Sequence, residues 1–179
     1  MNVILQSVYA GNVNYYAAIL KSDKVLVDVN EHFLKQSYRN RCVIAGANGP
    51  LNLIVPVRRK NGRVKLKDIE IDYSENWQKI HWKSIESAYR TSPYFEFYED
   101  RFKALYASKE LKLLMDWNFA INNAILKSLK YESEINISDK YVVEKDGFED
   151  LRGKIHPKKQ HTSHCQINIY PQVFDDRMD

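Results

Sequence analysis

Lys35, Arg39, Asn40 and Arg41 lie within one short block that runs directly into an apolar segment. Guanidinium forks bind carboxylates and phosphates through paired hydrogen bonds, and an amide between them adds a directional donor and acceptor. At the entrance to a strand, this set suits an anionic ligand, because ligand sites of α/β sheets lie at strand ends. The competing reading is a solvated loop, the ordinary fate of a charge run. His81 is the second candidate, sharing helical spacing with Trp77, Ile85 and Tyr89. An imidazole titrates near neutrality, so His81 reads as a general acid or base, or else as a core histidine bonded to a carbonyl. Asn118 interrupts an apolar ladder, where an amide is costly unless paired. It either ties down a neighbouring element or points into a polar cavity.

Other chemistry is less well supported. Cys42 follows Arg41 and reads as a thiolate nucleophile or, inside an apolar strand, as an inert buried thiol. His156, His161, His164 and Cys165 lack a Cys-x-x-Cys partner, so no metal site is expected. The stretch 58–67 carries six basic residues and no acid, yet no aromatic interleaving, and the net charge is only +4. Nucleic acid is therefore not an expected partner. There is no phosphate-cradling glycine loop, no nucleophile elbow and no zinc-binding His-Glu-x-x-His. The residues name no cofactor.

The elements that position these groups follow from apolar spacing. Val3–Leu5 reads as a buried strand and 12–20 as a helix with Val13, Tyr16, Ala17 and Leu20 on its inner face. Residues 24–29 read as a second strand. A hairpin over 41–57 turns at Asn48-Gly49-Pro50. A further strand is expected over 68–71. Asp72 is the cap candidate for a helix over 77–89. Ser92-Pro93 marks the start of an aromatic helix. A third helix spans about 108–130, and a strand lies within 135–143. The spacing predicts an α/β fold: a mixed sheet from the N-terminal half packed with a helical second half, in a single domain over 1–179. Residues 1–145 form the expected compact core, and the polar segment 146–179 a loosely anchored tail.

With 44% hydrophobic and 12% aromatic residues, the chain can fill a real core. Its two cysteines do not make a disulfide framework. No apolar run approaches membrane-spanning length. The start Met1-Asn-Val-Ile-Leu-Gln-Ser7 lacks the basic and apolar regions of a secretion signal, so a cytoplasmic protein is expected.

Taken in order, several blocks resemble the WbqC-like protein family. They are Gln6-Ser-Val-Tyr9 with Tyr15-Tyr16, Asp28, Lys35 with Tyr38-Arg-Asn-Arg41, and Ala47-Asn-Gly-Pro50 with Leu53-Ile-Val-Pro-Val57. Asn76-Trp77, His81, Tyr89, Pro93-Tyr-Phe95, Tyr98 and Asp116-Trp-Asn118 follow. Asp150-Leu-Arg152, Ile155-His-Pro-Lys158 and Gln172-Val-Phe174 complete the set. Two departures stand out. Gly11 occupies a position that is usually proline in the family. Beyond Phe174, where the family pattern continues through a Gly-Phe turn and a Pro-Asn-Leu-Ser segment, this sequence reads Asp175-Asp-Arg-Met-Asp179. If that segment completes the family site, this copy is expected to be impaired.

The resemblance implies a bacterial accessory protein of surface-polysaccharide and O-antigen synthesis. The expected activity is acyl or aminoacyl transfer onto a nucleotide-activated amino sugar. Under that reading His81 takes a proton from the attacking group, and Asn40 and Asn118 orient the sugar or acyl group. Lys35 with Arg39 or Arg41 holds phosphate, while Tyr9, Trp77 and Tyr89 form aromatic walls, with Asp28 nearby. The alternative is a non-catalytic module that binds a sugar nucleotide or scaffolds a partner enzyme. The partner class is a small molecule, with a homo-oligomer left open by the aromatic helix 93–102.

Overall fold

The computed structural model describes residues 1–58, 61–132 and 134–157. Its first layer is a four-stranded parallel sheet. β1 (Asn2–Gln6) and β2 (Lys24–Asp28) lie side by side with α1 (Val13–Leu20) connecting them. The antiparallel pair β3 (Arg41–Gly46) and β4 (Gly49–Ile54) forms a separate sheet. Three helices follow: α2 (Trp77–Tyr89), α3 (Phe95–Ala107) and α4 (Leu114–Ser128). β5 (Ile135–Ile137) and β6 (Phe148–Asp150) then return to the first sheet, giving the order β5-β2-β1-β6. The α/β class therefore holds, with its parallel and antiparallel parts in two sheets.

Continuous apolar runs in β1 and β2 follow from this topology, since a parallel sheet is covered on both faces. Val3, Ile4 and Leu5 are all buried. Val3, Leu5, Val25 and Val27 pack with Tyr15, Ile19 and Leu126 in one core. A second core joins Tyr9, Leu53, Trp77, Tyr106, Trp117 and Ile121 beneath the hairpin. Helix α4 serves both cores, Leu126 facing the first and Trp117 and Ile121 the second. No helix among the described residues is long and apolar enough to cross a membrane.

Several boundaries differ from the sequence expectation, each for a local reason. Helix α1 buries Tyr15, Tyr16, Ala18 and Ile19 and leaves Val13 and Leu20 exposed. Its sequence is apolar nearly all round, so spacing alone did not select the inner face. Asn12 caps it, accepting from the Tyr15 backbone N–H at 3.1 Å. The hairpin turns at Ala47-Asn48, and Pro50 lies in β4 opposite Ala45. The expected strand at 68–71 is a single 3-10 turn (Leu66–Asp68) followed by isolated bridges at Glu70 and Ile71. The Glu70–Leu113 bridge holds 112–113 extended, which delays α4 to Leu114. Asp72 does not cap α2; its carboxylate accepts from the Ser74 N–H at 2.9 Å. Ser92 donates its hydroxyl to the Tyr89 carbonyl rather than capping α3, which starts at Phe95 after Tyr94 at φ 66°.

Residues 148–157, expected within a loose tail, are built into the fold. β6 pairs with β1, Leu151 and Ile155 are buried in the first core, and Arg152 reaches Asp28. A three-residue strand with one aromatic carries too little apolar signal to be read from sequence. Residues 158–179, including His161, His164 and Cys165, lie outside the described residues.

Gly11 has a physical explanation. A Cβ there would meet the Tyr15 side chain at 2.6–2.8 Å. The Tyr15 ring occupies the space that a larger residue would need, and its hydroxyl donates to the Gln6 carbonyl at 3.1 Å.

Candidate functional site

The singled-out residues separate into two places. The first is the carboxyl edge of the parallel sheet. Asp28 ends β2 and is fully buried. Its carboxylate accepts from Ser138 Oγ (2.8 Å), from the backbone N–H of Asn30 (2.9 Å) and from Arg152. Arg152 also pairs with Asp150 and donates to the Val142 carbonyl at 2.7 Å. Nearby in sequence, Arg39 is buried in a bidentate pair with Glu31, at 2.9 and 2.6 Å. Its backbone carbonyl accepts from Asn118 Nδ2 at 2.8 Å, and the same amide donates to Ser7 Oγ at 3.1 Å. Asn122, one turn on, donates to the Val8 and Asn118 carbonyls at 2.6 and 2.7 Å and accepts from Tyr16. Asn118 thus ties the segment after β1 and the 37–40 loop to α4.

The other polar residues of the block are placed differently. Lys35 is exposed. Asn40 donates its amide to the Val55 carbonyl at 3.0 Å and so clamps the hairpin base. Arg41 is half-buried, and its Nε has no hydrogen-bond partner.

The second place is an aromatic cluster under the hairpin. α2 presents Trp77 and His81 one turn apart, and the His81 ring meets Trp77 edge-on at 5.1 Å. His81 Nδ1 lies 3.1 Å from the Tyr9 hydroxyl, which lies 2.6 Å from the Tyr106 hydroxyl. The ring also meets the Ile54 backbone carbonyl. A ring N–H donated to Ile54 leaves the Nδ1 lone pair to accept from Tyr9, and either phenol can donate in the Tyr9–Tyr106 contact. Burial depresses the His81 pKa to about 4, opposed by the Ile54 carbonyl. The imidazole is therefore neutral at pH 7. Burial pushes the Tyr9 hydroxyl well above its ordinary range, with Tyr106 and Cys42 adding to the rise. The Cys42 thiol is pushed up to about 12, again mainly by burial, and is not a resting thiolate.

Tyr106 connects this chain to an open groove of about 320 Å³ between the hairpin and helices α2, α3 and α4. Its walls include Cys42, Ile44, Trp82, Ile85, Phe95 and Phe102, with Tyr89 at one side. The Tyr89 hydroxyl accepts from the Ala45 N–H at 3.0 Å and so joins α2 to the hairpin. Glu99 is the charged residue of the lining. It pairs with Arg90 at 3.2 Å and Lys103 at 3.3 Å. A larger depression of about 1270 Å³ beside β2 and β5 is lined by charged side chains of both signs and contains none of the candidate residues.

Of the sequence candidates, the fold brings together Tyr9, Trp77 and His81, and places Tyr89 beside them on the groove. Asp28, Arg39 and Asn118 belong to the paired polar edge. Tyr106 and Glu31 were not singled out from sequence. Phe95, Phe102 and Tyr106 recur at i, i+7 and i+11, a helical face that would have included Tyr106. Glu31 is a matching anion eight residues before Arg39, a separation no short-range rule pairs.

A curated relative, the uncharacterized protein Rv1507c of Mycobacterium tuberculosis, is 29% identical over 128 residues, covering 70% of this chain and 54% of that protein. The chain thus spans about half the length of the curated relative it matches. No solved structure matches it. Residues 6–164 match the WbqC-like protein family, a span that holds both the polar edge and the aromatic groove, and the chain belongs to that family.

Proposed function

We propose that this WbqC-like chain is a cytoplasmic transferase of surface-polysaccharide synthesis that moves an acyl or aminoacyl group onto the amine of a nucleotide-activated amino sugar. The observation that carries this reading is the groove, because its wall contains the end of a hydrogen-bonded chain leading to a neutral imidazole. In the proposed reaction the sugar amine attacks the carbonyl carbon of a thioester donor. The C–N bond forms, the C–S bond breaks and a thiolate leaves. The amine proton passes to Tyr106 while the Tyr106 proton moves to Tyr9 and the Tyr9 proton to His81 Nδ1. With a pKa near 4, His81 is a transient acceptor, and the proton returns along the chain to the leaving sulfur. Lys35 and Arg41 are the cations offered to the diphosphate, since Arg39 is neutralised by Glu31.

A transfer assay with an acyl thioester and a UDP-linked amino sugar, read by mass spectrometry of the amide product, tests this. Tyr106→Phe breaks the chain at the groove and is expected to lower kcat about 100-fold. Product formation unaffected by Tyr106→Phe and His81→Gln would remove the proton chain from the mechanism.

A second reading, a non-catalytic binding module, is favoured by one observation. The His81 ring is already engaged by the Tyr9 hydroxyl and the Ile54 backbone. It predicts ligand binding without turnover and independent of pH between 5 and 8.

A further inference from the structure

We infer that the groove is a site for neutral hydrocarbon, sized for an acyl chain of about eight carbons, and that the nucleotide half of the substrate lies outside it. This rests on the acyl-transfer reading and names the part of the donor that the groove holds.

Three observations on the groove agree. The first is size. A liquid water occupies about 30 Å³, and a methylene is similar, so about 320 Å³ admits on the order of ten such groups. The second is charge. Glu99 is already matched by Arg90 and Lys103, and Arg90 also pairs with Glu86. The lining therefore offers no unmatched cation to a phosphate, and a diphosphate would lose its hydration against a carboxylate. The third is the state of the hydroxyls. Three of the four lining hydroxyls are engaged, Tyr106 with Tyr9, Ser92 with the Tyr89 carbonyl and Tyr89 with the Ala45 N–H, which leaves Tyr98 at the exposed rim. A sugar ring buried here would leave several hydroxyls without partners, whereas a hydrocarbon chain leaves none. Ile44, Ile85, Phe95, Phe102, Ile121 and Ile125 supply apolar surface for such a chain.

The experiment uses the full chain and two neutral probes, the octanoyl and acetyl thioesters of N-acetylcysteamine. Binding is followed by tryptophan fluorescence, since Trp82 lines the groove. The octanoyl thioester is expected to bind at least ten-fold more tightly than the acetyl thioester. Ile85→Trp fills the groove and is expected to weaken octanoyl binding at least ten-fold while leaving the thermal shift given by a UDP-linked amino sugar intact. Tyr98→Asp at an exposed lining position places a new carboxylate on the wall without threatening the core, and is expected to weaken octanoyl binding as well. Equal affinity for the two thioesters, or octanoyl binding unchanged in Tyr98→Asp and in a folded Ile85→Trp, overturns the inference. Competition between the UDP-linked sugar and the octanoyl thioester for the groove also overturns it, but leaves the transferase reading standing. Selective octanoyl binding with no amide product under any condition supports the chain site and sinks the transferase reading instead.

Discussion

The polar edge of the parallel sheet and the aromatic groove hold the same kinds of residue the sequence singled out, yet in opposite states. At the edge, each charge is matched inside the protein: Arg39 by Glu31, Asp28 by Arg152. Buried charge in that condition is expensive to form and more expensive to leave half-made. Such a network fixes the geometry of the loops that leave β1 and β2, and it has little capacity left for a ligand. In the groove, the walls are apolar, the volume is open and the one acid is neutralised from the rim. In this chain the polar residues hold the frame, and the open surface is aromatic.

The largest expected effect breaks the frame. Glu31→Gln leaves the Arg39 guanidinium buried, at 2% exposure, without its counter-charge. Urea denaturation should show a loss of about 3–5 kcal/mol. The double variant Glu31→Leu/Arg39→Met removes both charges and should recover most of that loss. If the single variant costs less than 1 kcal/mol, the edge is not the rigid frame described.

Next comes the buried imidazole behind the groove. The folded His81 pKa is about 4, against an ordinary value of 6.5. Between those values the unfolded chain binds the proton and the folded chain does not, so stability rises with pH. The stabilisation is complete above about pH 6.5 and is lost as pH falls towards 4, by roughly 3 kcal/mol at most. His81→Gln keeps one acceptor for Tyr9 and one donor for Ile54 but cannot titrate. Its stability should therefore fall less steeply than the wild type across that window, measured by urea midpoints at intervals from pH 4 to 7.

How far each region could be read from sequence follows from the range of its interactions. The first two strands, the hairpin and α2 carry their own periodicity, and their boundaries were legible to within a few residues. β5 and β6 have three residues each and exist because β2 and β1 offer edges to pair with. That signal is in the partner, not the segment. The pairing of Trp77 with His81 was legible as one helical turn. The contact of His81 with Tyr9 and Tyr106 was not, because it joins residues 72 apart and then 97 apart. Arg39 shows the same limit in reverse: its charge was legible, and only the fold shows its pairing with Glu31.

A smaller effect tests the close packing at Gly11. Gly11 stands against the side of Tyr15, whose Cβ and Cγ lie 2.8 and 2.7 Å from where a new Cβ would sit. These are the inner atoms of a buried ring, so the neighbour cannot simply swing away. Gly11→Ala is expected to cost about 1–3 kcal/mol by overpacking. Pairing it with Tyr15→Leu, which removes the ring, should reduce that cost, and the non-additivity measures the contact.

The smallest effect belongs to the aromatic residues just outside the groove. Tyr94 and Phe97 are 71% and 83% exposed, with ring centroids 6.1 Å apart. Neither lines the groove, although Phe95 and Tyr98 beside them do. A side chain that is already in water loses no burial when it is replaced. Phe97→Ser should therefore change stability by no more than about 0.5 kcal/mol and leave octanoyl-thioester affinity unchanged. A ten-fold loss of that affinity with the stability preserved would extend the chain site across the outer face of α3. The distinction between a closed polar frame and an open apolar groove would then need its boundary moved outward, to include residues that the free protein leaves in solvent.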